Sequence, residues 1–326
     1  SNFPDRKALF DSIQSCGKQK DLPRARYLHA QILLKELFPK DIYVSNALLS
    51  MYSKCGAIEE AQRVFVMLVA KDVSSWRGLI AAHAENGHAE EALSHFEEMQ
   101  CKGMSPDVGT FLCCLKACSS IGLVCGCREI HASINRIGLQ NDIVIGNALV
   151  DTYAKCGLLE EAQVTFNTLV VQDIISWTTL ITGYAQLGKI ENAIWTFKKM
   201  LTKGMKPNAI TFSSILNCCC HGGLVDEGEV CFRAMCSHWQ LVPTIEHYTS
   251  MVDLFGRADH VDKGVSVIMT MPFHPSIVMW HTVLGTCQRS GAAVVAKYAF
   301  GHSMELDEYD SASYIYMSNT YANSVE

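Results

Sequence analysis

The sequence predicts an all-α protein, a solenoid of helix-turn-helix repeats, and three observations carry that prediction. The first is self-similarity at a fixed offset. Asp41, Asn46, Leu48, Tyr52, Lys54, Cys55, Gly56 and Phe65 return 101 residues later as Asp142, Asn147, Leu149, Tyr153, Lys155, Cys156, Gly157 and Phe166. Asp72, Ser75, Trp76, Gly87, Phe96, Gly103 and Pro106 return as Asp173, Ser176, Trp177, Gly188, Phe197, Gly204 and Pro207. Repetition of this kind marks units that leave an apolar face open until a stacked neighbour covers it. The second observation is that smaller units alternate in register. Asp41 to Asp72 is 31 residues, and Asp72 to Asp107 and Asp107 to Asp142 are 35 each; Asp142 to Asp173 is again 31 and Asp173 to Asn208 again 35. The third is the apolar spacing within a unit, which suits two amphipathic helices.

The unit after Asp142 shows how each element arises. Ile145, Leu149 and Tyr153 lie four apart and form the apolar stripe of a first helix. Gly157 supplies the turn. Glu160 and Glu161 open the second helix with acids, which suits its positive end, and Ala162, Phe166 and Leu169 continue the stripe. Gly103-Met104-Ser105-Pro106 and Gly204-Met205-Lys206-Pro207 end the longer units with a Gly stop and a Pro that cannot continue a helix.

Composition bounds the function. With 326 residues, 49% of them hydrophobic, the chain has enough apolar surface for a large core, which a solenoid spreads along its axis in thin layers. No apolar run reaches the roughly 18 residues a membrane span needs, and the chain reads as soluble, with no membrane partner. It starts at Ser1 without Met and stops within the pattern at Tyr321-Ala322, so it is expected to be a piece of a longer protein. Fifteen cysteines without a secretory leader fit reduced thiols; the recurring pairs Cys55 with Cys156 and Cys118 with Cys219 suit small helix-contact residues. The formal charge of −6 excludes a protein that grips phosphates indiscriminately.

Asn46-Ala47-Leu48-Leu49 with Met51-Tyr52-Ser53-Lys54-Cys55-Gly56, then Asp72-Val73-Ser74-Ser75-Trp76, then Gly103-Met104-Ser105-Pro106-Asp107 with Thr110-Phe111 and Ala117-Cys118, resemble the plant pentatricopeptide repeat family. The resemblance is closest to the subclass that alternates ordinary, long and short repeats, and it runs from about Pro4 to Ala322. It implies a right-handed superhelical α-solenoid. It divides the chain into a long repeat within 1–41, repeats at 42–72, 73–107, 108–142, 143–173 and 174–208 (short, ordinary, long, short, ordinary), and a final long and short pair at 209–276. The stretch 277–326 resembles the E-type extension of organellar RNA-editing factors through Trp280, Leu284-Gly285, Tyr314 and Ser318-Asn319, and is cut short. Tetratricopeptide repeats are the nearest rival, because Ala61 to Phe65 and Ala162 to Phe166 meet their second-helix spacing. They repeat at about 34 residues, which the alternating lengths do not follow.

In such proteins one repeat reads one base of single-stranded RNA, with a first-helix side chain and the last residue of the repeat. Unpaired bases expose edges that short amides, hydroxyls and carboxylates distinguish. Carried over by resemblance, the pairs are Asn46 with Asp72, Arg77 with Asp107, Asn147 with Asp173, Thr178 with Asn208, Ser213 with Thr244, and Thr249 with Ser276. The family's code implies uracil for Asn46/Asp72 and Asn147/Asp173 and adenine for Thr178/Asn208, on RNA running 5′ to 3′ from the N- to the C-terminal repeats. Val144 and Ile175, three residues before Asn147 and Thr178, share a helix face with them and flank the bases. Arg77 is an unusual reader, so its base stays open and phosphate contact is an alternative. Phe10 and Leu112 occupy the reading position of long repeats and lack hydrogen-bonding groups. Ser213/Thr244 and Thr249/Ser276 are assigned no base.

Each of these residues also has a plainer explanation. Asp ahead of a helix is an ordinary N-cap worth about 1 kcal/mol, and Asn46 and Asn147 suit solvated positions. Trp76, Trp177 and Trp280 suggest a stacking platform, but they stand one residue before the reader, about 100° round the helix, which suits packing between repeats better. His88-Ala89-Glu90 matches half of a zinc deaminase motif, and no Cys-x-x-Cys accompanies it. Cys218-Cys219-Cys220-His221 cannot aim three successive side chains at one ion. Cys125-Gly126-Cys127 with His131 is the other metal candidate. The chain is therefore read as having no metal, no cofactor and no catalytic residue of its own.

The resemblance implies an RNA-binding adaptor that directs C-to-U editing of a mitochondrial or chloroplast transcript. A DYW-type deaminase, on a segment outside this chain or supplied with other editing factors in trans, would provide the chemistry. The alternatives are a scaffold in an organellar ribonucleoprotein such as the mitochondrial ribosome, or an RNA stabilisation or splicing factor. Oligomeric state is left open.

Overall fold

The computed structural model describes residues 6–34, 37–39 and 41–323; residues 1–5 of the predicted first repeat and 324–326 of the extension lie outside them. Among the described residues there are nineteen α-helices and no strand, and none of those helices is long and apolar enough to cross a membrane. The chain divides into two compact units, residues 1–171 and 172–326.

The first unit is five hairpins: α1 (Arg6–Gln19) with α2 (Leu22–Leu34), α3 (Ile42–Lys54) with α4 (Ile58–Met67), α5 (Val73–Glu85) with α6 (Ala89–Cys101), α7 (Val108–Ile121) with α8 (Val124–Ile137), and α9 (Ile143–Lys155) with α10 (Leu159–Thr168). The second is four hairpins and a last helix: α11 (Ile174–Gln186) with α12 (Ile190–Thr202), α13 (Ala209–Gly222) with α14 (Val225–Ser237), α15 (Ile245–Arg257) with α16 (Val261–Thr270), α17 (Ile277–Ser290) with α18 (Ala293–Leu306), and α19 (Ser311–Asn323).

Within each unit the first helices stack on one another in sequence order, α1 on α3, α5, α7 and α9, and α11 on α13, α15, α17 and α19. Each second helix packs on its own first helix and, α2 to α8 and α12 to α18 alike, on the next one. The first helices therefore form a continuous layer in each unit, with the second helices on its other side. The apolar stripes meet between the layers. Leu48, Leu49, Tyr52, Ala61 and Val64 are buried in the first unit, and Leu180, Ile181, Ala193, Ile215 and Leu216 in the second. The turns follow the sequence: Gly56 and Gly157, at φ 74° and 80°, take the left-handed conformation just past α3 and α9. Glu59-Glu60, Glu90-Glu91 and Glu160-Glu161 occupy the first turns of α4, α6 and α10.

All three tryptophans at the position before the reader are in the core, with Trp76 and Trp177 each 1% exposed and Trp280 2%. Trp76 meets Phe65 edge-on at 4.7 Å, and Trp280 stacks on His302 at 4.9 Å. A base cannot reach rings so covered. Of the recurring cysteines, Cys118 and Cys219 are wholly buried, whereas Cys55 and Cys156 are half-buried.

Truncating a fully buried Trp leaves a cavity that a thin solenoid layer cannot refill. Trp76→Ala should destabilise the first unit by about 3–5 kcal/mol, while Val144→Ala, at an exposed position, should stay within about 0.5 kcal/mol. Chemical denaturation followed by far-UV circular dichroism measures both.

Candidate nucleic-acid interface

Every residue singled out as the last of a repeat stands immediately ahead of a first helix. Asp41, Asp72, Asp107, Asp142, Asp173 and Asn208 are N-caps whose side chains accept hydrogen bonds from first-turn backbone N–H groups. The ordinary helix-capping explanation therefore holds for all six, and the question is what else these side chains do. Counted from the first helical residue, Phe10, Asn46, Arg77, Leu112, Asn147, Thr178, Ser213 and Thr249 are all fifth. The reading positions share one register.

In the first unit the two sets meet. The Asn46 amide donates from Nδ2 to Asp72 Oδ1 at 3.1 Å, while the Ser75 hydroxyl lies 2.8 Å from both Asn46 Oδ1 and Asp72 Oδ1. Ser75 is the third helical residue of α5 and closes a capping box with Asp72. Burial alone pushes the Asp72 carboxyl up, but hydrogen bonds from Ser75 and Asn46 outweigh it and hold the group below its ordinary range. Arg77 donates from Nη1 to Asp107 Oδ2 at 2.6 Å. Gly109, the second residue of α7, makes room for it: a Cβ there would stand 2.7 Å from Arg77 Cδ. A cavity of about 410 Å³ opens beside these groups, lined among others by Asn46, Ser74, Arg77, Gly109 and Leu112.

In the second unit the pairing runs through a third side chain. Thr178 Oγ1 lies 2.7 Å from Thr211 Oγ1, and Thr211 donates to Asn208 Oδ1 at 2.9 Å. Since the one Thr211 hydroxyl proton goes to Asn208, Thr178 is the donor to Thr211. Thr178 keeps acceptor lone pairs, and Asn208 keeps its Nδ2 amide protons. Ser213 is linked to Thr244 by His247, whose Nε2 is 3.2 Å from Ser213 Oγ and whose Nδ1 is 2.7 Å from Thr244 Oγ1. Thr249 instead donates to the carbonyl of Ile245 at 2.8 Å on its own helix, and among the described residues no hydrogen bond joins it to Ser276.

These fifth residues are less open than solvated positions would be. Thr178 is 6% and Asn147 9% exposed; Phe10 and Leu112 are half-buried. By contrast Val144 and Ile175, at the second helical position, are 52% and 56% exposed. The structure adds three residues of the same kind that sequence reasoning missed: Tyr43, Ile210 and Val278, also second in their helices and exposed. It also adds Ser75, Thr211 and His247, the third helical residues that link reader to cap. The signal for Ser75 and Thr211 was present as a capping box, Asp72-x-x-Ser75 and Asn208-x-x-Thr211.

The metal candidates are dispersed. His88 is the N-cap of α6. Cys218, Cys219 and Cys220 are buried, with Cys220 donating to Asp253 at 2.7 Å. Cys127 meets Cys156 at 3.6 Å, and His131 bonds the Tyr153 hydroxyl at 2.8 Å. Among the described residues no three His, Cys, Asp or Glu side chains are grouped to hold a metal ion.

Helical hairpins whose first helices set their fifth residues, most of them polar, in one register define a repeat protein. The PPR repeat family model matches residues 71–120 and 172–221, and the PPR repeat model matches 43–73, 147–173, 210–239 and 246–273. Together they span well over half the chain, which belongs to the pentatricopeptide repeat family. Among curated relatives, a mitochondrial pentatricopeptide repeat-containing protein of Arabidopsis thaliana is 36% identical over 96% of this chain and 49% of its own length. A second from Arabidopsis thaliana is 33% identical over 95% of this chain and 42% of its own length. This chain thus spans less than half the length of either relative. Among solved structures, the pentatricopeptide repeat protein PPR10 in complex with an 18-nt psaJ RNA element aligns with a TM-score of 0.76 at 19% identity, over 99% of this chain and 48% of that one. PPR10 from maize aligns at 0.57 and 20% identity, over 97% and 52%.

Asp72 gives the site an acid sensitivity of defined sign. Its carboxyl is depressed in the folded protein, so the stability it contributes is present above the ordinary Asp pKa of about 3.9 and is lost as pH falls below it. Asp72→Asn keeps a competent cap, as Asn208 does, but removes that titration. Its denaturation midpoint should fall less steeply than that of the native chain between about pH 4 and pH 2.5, measured by urea unfolding.

Proposed function

We propose that the chain is a sequence-specific adaptor for single-stranded RNA, reading one base per repeat through the fifth residue of each first helix and the cap that follows. The observation that carries this reading is the set of groups left over at Thr178 and Asn208. An acceptor on Thr178 beside a donor on Asn208 complements the adenine edge, whose N6 amino group donates and whose N1 accepts. At Asn46 and Asp72 the second amide proton and Asp72 Oδ2, which Asn46 Nδ2 approaches at 3.4 Å, form a donor beside an acceptor with a lone pair to spare. These suit a carbonyl and the N3–H of uracil. Asn147 with Asp173 carries the same residue types and is assigned uracil as well. Exposed Val144 and Ile175 then flank the bases. The PPR10 complex with RNA supports RNA as the ligand class.

The finer assignment is that the repeats alternate in the long, short and ordinary pattern, that 277–326 is an E-type extension, and that the adaptor directs C-to-U editing of an organellar transcript. Deamination belongs to a DYW-type domain or to a partner, and the reading gives the present stretch no catalytic step. Relatives named as mitochondrial favour that organelle.

Swapping the code tests the reading. Thr178→Asn with Asn208→Asp should move the base preferred at one position from adenine to uracil by about tenfold, while preferences elsewhere hold. Binding to RNA oligonucleotides that vary that one base measures it. An unchanged preference favours a scaffold that contacts RNA or protein without a code.

A further inference from the structure

The nine first helices from α1 to α17 all bury their eleventh residue in the core. In eight of them it is a tyrosine, a cysteine or a phenylalanine, as with Tyr52, Cys118, Tyr153, Tyr184 and Phe255. In α5 it is His83, 5% exposed. One hairpin thus buries a base whose charge changes near neutral pH, at a point where its counterparts bury groups that stay uncharged there.

The surroundings give that base nothing to bond. The Tyr52 and Tyr153 hydroxyls pair with His29 Nδ1 at 2.9 Å and with His131 Nδ1 at 2.8 Å. Among the described residues neither ring nitrogen of His83 has a hydrogen-bond partner, nor has the buried Nδ1 of His95 on α6. The rings of His83 and His95 lie 4.9 Å apart, centre to centre, and the ring of His88, the N-cap of α6, lies 6.1 Å from that of His83. Two carboxylates border the cluster without bonding it: Glu91 is 3.8 Å from His88 Nδ1, and Glu98 is 3.7 Å from His95 Nδ1. Although α3, α4 and α7 also pack on α5, the charged and titratable groups that act on His83 are His95, Glu91 and His88, all of α6 or its cap. Burial above all, joined by His95 and His88, holds the His83 imidazole below its ordinary range, and Glu91 offsets only part of this. Burying a polar group without a partner is costly, and burying a charge more so.

We propose that the His83 and His95 pair makes the α5–α6 hairpin a pH-sensitive joint, closed while both imidazoles are neutral and loosened when mild acid protonates His83 in the interior. Opening exposes His83 to water, where it takes up a proton at the ordinary pKa of about 6.5. The open form then binds more protons than the closed one, so closure is fully favoured above that pH and weakens as pH falls through it. One imidazole excluded from protonation in the closed form shifts this balance by about tenfold between pH 7.5 and pH 5.5. The effect reaches the candidate interface, because α5 carries Ser75, bonded to Asn46, and Arg77, bonded to Asp107.

Hydrogen–deuterium exchange of the 326-residue chain at pH 7.5 and pH 5.5, read by mass spectrometry and corrected for the intrinsic pH dependence of exchange, tests it. Protection of the backbone amides of residues 73–101 should fall about tenfold at the lower pH, while residues 174–202, a hairpin with Tyr184 and no histidine, should hold. His83→Tyr and His83→Phe supply residue types that the same position holds in other hairpins, and either should abolish the fall. The proposal is overturned if the native chain protects 73–101 equally at both pH values, or if the fall persists in a folded variant. Should neither variant fold, NMR of the His83 ring in the native chain decides. A ring that stays neutral until protection is lost upholds the joint, and a ring that protonates near pH 6.5 with protection intact overturns it.

Discussion

One interaction recurs through this protein: at several joints the side chain that caps a first helix also holds, directly or through one further side chain, the fifth residue of the first helix before it. A cap by itself satisfies backbone N–H groups that have no partner inside the helix, and stabilises by about 1 kcal/mol. Here the same carboxylate or amide is shared. Asp72 binds the first turn of α5 and the amide of Asn46 together, so the start of one helix, its spacing from its neighbour and the aim of a side chain are set at a single point. Mismatching any one of them breaks the other two. This explains how such different fifth residues as Asn46 and Arg77 are held alike, since what is fixed is the acceptor and not the donor that finds it.

Sharing also decides how open the readers are. A hydroxyl or amide standing free in water would present every donor and acceptor it has and discriminate little. Thr178, held by Thr211, has spent its proton and offers only lone pairs; Asn208 has spent its carbonyl and offers only N–H. The partial burial of these groups is thus the physical source of a directional pattern, and binding to it carries little ordering cost because the side chains are already fixed. The proposed discrimination by edges rather than by charge also fits a chain of formal charge −6.

The hairpin architecture was legible because it depends on spacing alone. Asp41 to Asp72, Gly56 and Gly157, and the Glu pairs opening second helices are each a local rule, and each reappears in the structure as the same cap, turn or first turn. The aromatic positions were legible too, since Trp76 stands about 100° from Asn46's counterpart Arg77 and so had to face the layer behind. What stayed hidden was which polar groups remain free. That depends on who bonds to whom across thirty or so residues, as with Ser213 and Thr244 joined by His247. Tyr43, Ile210 and Val278 were missed for a different reason: an apolar residue in the first turn reads as core until the stacking of first helices shows that its face is uncovered.

The departures from the repeat carry as much information as the repeat. Where Val144 and Ile175 stand elsewhere, α7 has Gly109, and the space that a side chain would fill holds the Arg77 guanidinium on its way to Asp107. The long side chain at the fifth position of α5 thus uses the space left by the missing side chain at the second position of α7. Leu112 follows in the same helix at the reading position, with no group to bond a base edge. On the proposed reading, two adjacent hairpins exchange the base contact for a cation and an apolar surface. On that same proposal, a strand laid along these helices would be held there through its backbone and base faces and its edges read on either side.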